Sequence, residues 1–112
     1  MSLKLLYQDE HFIAVDKPSG FHVHPHENEQ HHVSREKICL YHARRMMKRH
    51  VYPVHRLDAG TSGVLLFALS SQSAGVLCKM FAEKNLQKTY HAVVRGFVKP
   101  EAEIDLPLEL DV

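Results

Sequence analysis

The pattern of apolar and polar residues predicts a series of short strands separated by turns. Runs of strand length and composition occur at residues 3–7, 11–16, 51–54, 63–69, 88–95 and 102–106. The run at 63–69 is continuously apolar, as expected of a strand that is covered on both faces. The run at 88–95 alternates cleanly and places Tyr90, Ala92 and Val94 on one face.

Two segments with helical periodicity lie between these strands. Ser34 is placed to cap a helix that runs to about Arg49. Ser71 or Ser73 is placed to cap a second helix through about Asn85, with an apolar face formed by Ala74, Leu77, Cys78 and Phe81. The resulting order, β-β-α-β-β-α-β-β, predicts an α+β fold with a mixed or antiparallel sheet and flanking helices.

The composition fits one small globular domain. At 112 residues the chain is long enough for a single hydrophobic core, and 45% of its residues are hydrophobic. Cys39 and Cys78 lie in no spacing typical of a disulfide framework or a zinc site. No apolar run approaches the ~20 residues that span a membrane, and the N-terminus lacks the form of a signal peptide. We therefore expect a cytoplasmic protein with no membrane partner.

The charge is unevenly distributed along the chain. Residues 33–100 contain twelve Lys and Arg against three Asp and Glu, whereas both ends are acidic. A basic middle is what a phosphate-binding surface needs, although a solvated helix surface has the same composition. Lys48 and Arg49, at the end of the first predicted helix, also suit the negative end of its dipole.

The segment that most clearly indicates chemistry is His55-Arg56-Leu57-Asp58-Ala59-Gly60-Thr61-Ser62-Gly63. It places one carboxylate between an arginine and a turn rich in Gly, Thr and Ser, where the backbone can approach a ligand closely. An acid held beside a cation in such a turn is a candidate nucleophile or base. The residues alone leave an alternative open, in which Asp58 is an Asx-turn or cap residue.

Histidines are concentrated in the loop predicted at residues 22–32. On an extended segment His22, His24 and His26 share a face and offer imidazoles to a metal ion. No cysteine lies nearby and Pro25 interrupts the run, so we interpret these histidines as polar loop residues and expect no native metal site.

Four segments, in this order, resemble the RluA family of RNA pseudouridine synthases. They are the first strands with Lys17-Pro18-Ser19-Gly20, the step Val23-His24-Pro25, the sequence HRLD with TSGVLL after it, and residues 87–96. The string YHAVVRG within the last segment, and YQDE at residues 7–10, are most similar to the tRNA pseudouridine synthase C branch. The resemblance covers nearly the whole chain, and its most specific part is the HRLD-TSG motif. It implies part of a pseudouridine synthase catalytic core.

The resemblance implies roles for individual residues. Asp58 matches the catalytic carboxylate, and Tyr90 matches the active-site tyrosine, whose ring stacks on uracil. Arg56 matches the arginine that enters the RNA stack when the target base is extruded. Further RNA contacts are expected from His55, Thr61, Lys88, Lys48 and Arg49. Because isomerisation of uridine gains and loses no atom, no cofactor is implied. The implied partner is RNA, with tRNA favoured over ribosomal RNA.

Family members are considerably longer than 112 residues, and their third motif, which supplies a basic partner for the catalytic carboxylate, has no counterpart here. We therefore interpret residues 1–112 as the N-terminal portion of a single catalytic domain and expect the chain alone to be inactive. Its interior strands would have open edges, so we expect it to self-associate. The alternative function is a non-catalytic RNA-binding remnant that keeps the basic surface.

Overall fold

A four-stranded antiparallel sheet forms the centre of the structure, which is a computed structural model that describes residues 3–25 and 33–108. The strands are β1 (Lys4–Gln8), β2 (Phe12–Lys17), β3 (Tyr52–Pro53) and β4 (Gly63–Ala68). They lie in the order β1-β2-β4-β3. The described residues also form a short 3₁₀ turn and two α-helices, namely Arg35–Lys37, α1 (Cys39–Met47) and α2 (Ser71–Ala82). The predicted α+β class with an antiparallel sheet is confirmed.

The core lies on one face of the sheet. Ile13 pairs with Phe67 and Val15 with Leu65 across β2 and β4, and all four side chains are fully buried. Residues at the start of α1 belong to the same cluster: Cys39, Leu40 and Ala43. Strands β2 and β4 form because their inward positions recur at every second residue and bury against this helix.

Serine side chains start both helical segments. The Ser34 hydroxyl accepts a hydrogen bond from the Glu36 backbone N–H at 3.4 Å, which caps the 3₁₀ turn that precedes α1. The Ser70 hydroxyl accepts from the Ser73 N–H at 3.0 Å and caps α2. Ser34 is predicted to cap the helix itself, but it caps only the 3₁₀ turn, because α1 begins at Cys39 and its N-cap Ile38 makes no side-chain cap hydrogen bond. The choice of Ser71 or Ser73 is wrong. Ser70 has the extended backbone that an N-cap requires.

The helices end earlier than their periodicity predicts. Lys48 adopts a left-handed conformation with φ of 53° directly after α1, so the helix ends at Met47. Helix α2 ends at Ala82 rather than near Asn85. Within the described ranges, no helix combines the length and hydropathy needed to cross a membrane.

The second face of the sheet is only partly covered. Helix α2 packs over β4 and β3, but it contributes no fully buried residue, and Cys78 on its predicted apolar face is exposed. Val64 in β4 remains 58% exposed and Leu66 is half-buried. The prediction that residues 63–69 are covered on both faces is therefore wrong near Val64, because α2 does not cover the second face of β4 at that residue.

Residues 87–108 form neither helix nor strand. The strands predicted at 88–95 and 102–106 are therefore wrong. An alternating pattern becomes a strand only when a neighbouring strand supplies the other half of the hydrogen-bond ladder, and no strand within 3–25 or 33–108 pairs with these residues. Their apolar side chains are consequently exposed, among them Val93, Phe97, Val98, Ile104 and Leu108.

We expect the chain to associate in solution, because these exposed side chains and the edges of β1 and β3 are available to another molecule. Light scattering at micromolar concentration should give a mass above 12.9 kDa. Replacing Val93 and Phe97 by Gln should lower that mass. Lys99→Gln, a control in the same exposed segment, should leave it unchanged. A monodisperse monomer of the unmodified chain would contradict this expectation.

Candidate functional site

The segment between β3 and β4 leaves the sheet and forms a tight turn that carries Asp58. The Thr61 N–H donates to the Asp58 carbonyl at 2.9 Å, which closes a β-turn over residues 58–61. Leu57 is buried in the core, whereas Arg56 and Asp58 on either side of it are exposed. This alternation anchors the segment through one apolar side chain and directs the two charged side chains outward.

A second turn packs against the first. The Gly20 N–H donates to the Ala59 carbonyl at 2.6 Å, and the Ser19 hydroxyl donates to the Gly60 carbonyl at 2.9 Å. Gly20 adopts φ of 90°, a conformation that favours glycine because a Cβ would be strained there. Residues 17–21 and 58–61 are called the turn pair below.

The ammonium group of Lys17 lies inside the turn pair. Its Nζ donates to the carbonyls of Pro18 at 3.1 Å, Phe21 at 2.7 Å and Ala59 at 3.0 Å. An ammonium has three N–H donors, so these three acceptors satisfy it completely. The side chain is fully buried. One cation therefore joins the end of β2 to the turn that carries Asp58.

Sequence reasoning missed this role of Lys17, which it considered only as the first residue of the segment Lys17-Pro18-Ser19-Gly20. The signal was present, because Ile13, Val15 and Lys17 occupy alternate positions of one strand and thus share the inward face. Burial lowers the pKa of Lys17, while electrostatic interactions with Cys39 and Asp58 act in the opposite direction. Asp58 therefore contributes to keeping the buried lysine charged, although it is itself in solvent.

The Asp58 carboxylate is free of structural hydrogen bonds within the described part of the chain. Its side chain is 87% exposed, and its nearest charged partner is Arg56, whose Nη2 lies 4.0 Å from Oδ1. Such an exposed pair contributes little to stability. The alternative in which Asp58 serves as an Asx-turn or cap residue gains no support from this geometry, because its side chain accepts no backbone N–H.

A cleft of about 760 Å³ opens beside this turn. One wall is the segment from Leu57 and Gly60 to Val64, and the other is the end of α2 with the residues after it. Four of the predicted site residues line it: His55, Thr61, Lys88 and Tyr90. Arg56 and Asp58 do not line the cleft, but both are chain neighbours of Leu57, which does.

The second wall of the cleft combines a cation with aromatic rings. The Lys88 Nζ lies 5.3 Å from the centroid of the Phe81 ring, and Tyr90 is 59% exposed. In the strand predicted at 88–95, Lys88 would lie on the same side as Tyr90, because the two residues are two positions apart. They do share the cleft, although no strand forms there. Phe81 was expected only as part of a helix face.

His55 lines the cleft and also makes two contacts within the protein. Its Nε2 accepts the Leu66 backbone N–H at 3.0 Å, and its ring stacks on Phe81 with centroids 4.5 Å apart and planes at 15°. Burial lowers the pKa of His55, and the charge of Lys88 adds to this effect. The prediction that His55 contacts RNA stays a prediction, and the structure gives its ring nitrogen another partner.

The structure does not bring Lys48 and Arg49 to the cleft. The Arg49 guanidinium donates to the carbonyl of Leu69, which follows the last residue of β4. The turn that carries Asp58 precedes the first residue of β4, so this six-residue strand separates the two places by roughly 17 Å. If these two residues contact RNA, they do so at a separate place.

No group of three His, Cys, Asp or Glu side chains within 3–25 and 33–108 is arranged to hold a metal ion. Three of the loop histidines, His26, His31 and His32, lie outside the described residues.

Comparison with known sequences identifies relatives along the whole chain. The sequence model of the family described as RNA pseudouridylate synthase matches residues 11–111. The tRNA pseudouridine synthase C of Pasteurella multocida (strain Pm70) is 46% identical over 112 residues, which are 100% of this chain and 45% of that protein. The protein of the same name from Vibrio parahaemolyticus is 43% identical over 112 residues, 44% of its length. The chain thus spans a little under half the length of these relatives.

Solved structures share the fold. Human RNA pseudouridylate synthase domain containing 4 superposes with a TM-score of 0.56 at 24% identity, over 73% of this chain and 30% of that chain. Human RNA pseudouridylate synthase domain containing 1 gives a TM-score of 0.57 at 23% identity, over 74% and 29% of the two chains. At this identity the likeness supports the fold alone.

Replacing Lys17 by Met should destabilise the fold by roughly 2–5 kcal/mol, because three buried carbonyls lose their donor. Denaturation of the chain in urea measures this loss. Lys37→Met, at an exposed position of the 3₁₀ turn, is the matched control and should change stability by less than about 0.5 kcal/mol. Equal stability of the two variants would show that the Lys17 hydrogen bonds do not hold the turn pair together.

Proposed function

Because the chain belongs to the RNA pseudouridylate synthase family, which its residues 11–111 match, we propose that it is the part of an RNA pseudouridine synthase that carries the catalytic carboxylate. The observation that carries this proposal is the position of Asp58. Its carboxylate is exposed on a turn that a buried lysine fixes, beside a cleft that contains Tyr90 and Lys88. Neighbouring residues make the contacts that hold the turn, so the Asp58 carboxylate remains available for chemistry.

The reaction breaks the bond between N1 of uracil and C1′ of ribose, rotates the base, and forms a bond between C5 and C1′. The proton that C5 loses is balanced by the proton that N1 gains, so the product is an isomer of uridine. The Asp58 carboxylate acts near C1′, either as a nucleophile or as a base for a ribose proton. The rearrangement requires no redox cofactor and no energy source.

Other residues of the site would handle the RNA. Arg56 projects beside Asp58, with its Nη2 4.0 Å from Oδ1, and a planar guanidinium there can fill the gap that an extruded base leaves. Tyr90 offers an exposed ring on which uracil can stack. Thr61 and Lys88 line the same cleft and can contact ribose or phosphate.

We propose tRNA as the substrate, since the relatives at 43–46% identity are named tRNA pseudouridine synthase C. The strings YHAVVRG and YQDE, which resemble the same branch, agree with this choice. We further propose that residues 1–112 act as the N-terminal portion of one catalytic domain and do not turn over RNA alone. The described residues offer Asp58 no cationic partner other than the exposed Arg56 within ion-pair distance. The alternative, a non-catalytic RNA-binding remnant, predicts binding without turnover in every context.

Asp58→Asn should lower pseudouridine formation by at least about 10²-fold, because the amide is nearly isosteric but is neither a nucleophile nor a base at neutral pH. Turnover is measured on tRNA transcripts with the chain fused to the remaining part of the Pasteurella multocida relative. Asp16→Asn, at an exposed position of β2, is the control and should retain activity. Turnover by the Asp58 variant at the control's rate would remove this carboxylate from the mechanism.

Arg56 should affect turnover, whereas Lys48, which directly follows α1, should affect RNA binding. In the same fusion protein, Lys48→Ala should weaken binding of target and non-target RNA equally. It should also reduce the slope of the logarithm of affinity against the logarithm of salt concentration by about one. Arg56→Ala should chiefly lower kcat on structured RNA, because the arginine acts when the base is extruded. Arg49→Lys, which keeps the charge, tests whether the bond to Leu69 matters separately. If Arg56→Ala behaves like Lys48→Ala, the extrusion role is wrong.

A further inference from the structure

The ladder between β3 and β4 ends after two residue pairs. Tyr52 lies opposite Ala68 and Pro53 opposite Phe67. In a longer ladder, Val54 would lie opposite Leu66. The Leu66 N–H instead donates to His55 Nε2 at 3.0 Å. An imidazole nitrogen therefore occupies the place of a strand carbonyl.

The backbone of Val54 has turned away from β4 at this point. Its carbonyl lies 3.8 Å from Sγ of Cys78 on α2. The next residues, Arg56 to Asp58, belong to the exposed segment that leads into the turn. The substitution of a side chain for a carbonyl thus coincides with the place where the chain leaves the sheet.

Only one form of the imidazole makes this bond. A backbone N–H can only donate, so Nε2 of His55 must be unprotonated and the ring proton must reside on Nδ1. The stack on Phe81, with centroids 4.5 Å apart, holds the ring in this orientation. A protonated ring would direct an N–H at the Leu66 N–H, and the bond would be lost.

The surroundings of His55 disfavour the protonated ring. Burial lowers its pKa, the ammonium of Lys88 acts in the same direction, and a hydrogen bond with the Arg56 backbone opposes both. Strand β4 contains no ionisable side chain. The other charged or titratable groups on neighbouring elements are Tyr52 on β3, Cys78 and Lys79 on α2, Glu83 and Lys84 after it, Tyr90 and His91 in the cleft, and Arg56 and Asp58 in the same segment.

We propose that His55 is a positioning residue: its neutral imidazole replaces a β3 carbonyl at Leu66 and thereby fixes where the chain leaves the sheet and where Asp58 is presented. The consequence for catalysis rests on the proposed function, whereas the structural role stands without it. His55 touches no reacting atom and acts through the placement of the turn.

The arrangement makes the turn sensitive to acid. Since the folded protein lowers the pKa of His55, the unfolded chain binds its proton more readily. The stabilisation is fully present above the ordinary histidine pKa of about 6.5 and is lost progressively as the pH falls below it. The Leu66 N–H bond is then broken, and the turn that carries Asp58 loses its attachment to β4.

Nuclear magnetic resonance of the ¹⁵N-labelled chain between pH 8 and pH 5 tests this without any measurement of activity. We expect His55 to be the Nδ1–H tautomer, with a titration midpoint below about 6.5 that the Leu66 amide resonance shares. In His55→Gln the Leu66 amide should not titrate, because a Gln side-chain oxygen can accept the same N–H without ionising. His11→Gln, at a side chain that is 63% exposed, should leave the Leu66 titration unchanged.

Urea unfolding provides a second measurement for the variants. The stability advantage of the unmodified chain over His55→Gln should shrink from pH 8 to pH 5, and His55→Ala should be less stable than His55→Gln at both. A Leu66 amide that does not follow His55, or equal stability of the Gln and Ala variants, would overturn the proposal. Either result leaves the role of Asp58 untouched, because neither depends on turnover.

Discussion

A buried ammonium group fixes the geometry on which the candidate site depends. Removing a charge from water costs several kcal/mol unless its donors are satisfied, and Lys17 achieves this with two carbonyls of its own turn and one of the turn that carries Asp58. Neither turn can shift without leaving a donor or an acceptor unpaired in the core. A single strand-end residue therefore couples the N-terminal hairpin to the site.

The residues around Asp58 divide the structural work among them. Ala59 accepts from Lys17 and Gly20 on one side, Leu57 is buried in the core, and His55 joins the segment to β4 on the other. Asp58 makes none of these attachments and remains 87% exposed. Hydrogen bonds hold the backbone of this turn, while the Asp58 carboxylate makes no structural hydrogen bond within the described residues. This arrangement suits substrate chemistry, since a reacting group must be placed accurately and still be free to react.

The sequence predicts those parts of this structure whose partners lie within the chain. The strands predicted from the runs at 11–16 and 63–69 are confirmed as β2 and β4, because each pairs with the other. The clean alternation at 88–95 forms no strand, because a pattern of side chains does not reveal whether a pairing edge is present. For the site, the HRLD motif identifies the turn and Asp58. The burial of Lys17 depends on which residues of β2 face the core, and the bond from the Leu66 N–H to His55 depends on how far the ladder between β3 and β4 extends. Amino-acid composition reveals neither.

Hydrogen exchange of backbone amides in the unmodified chain is the most direct test of the claim that the buried lysine fixes the Asp58 turn. The relevant amides are Gly20, which donates to Ala59, and Thr61, which donates to Asp58. If the turn pair is part of the core, both amides should open with the same free energy as those of Ile13 and Phe67 in the sheet. Exchange of Gly20 and Thr61 at the rate of the exposed residues after α2, while the sheet stays protected, would contradict the account.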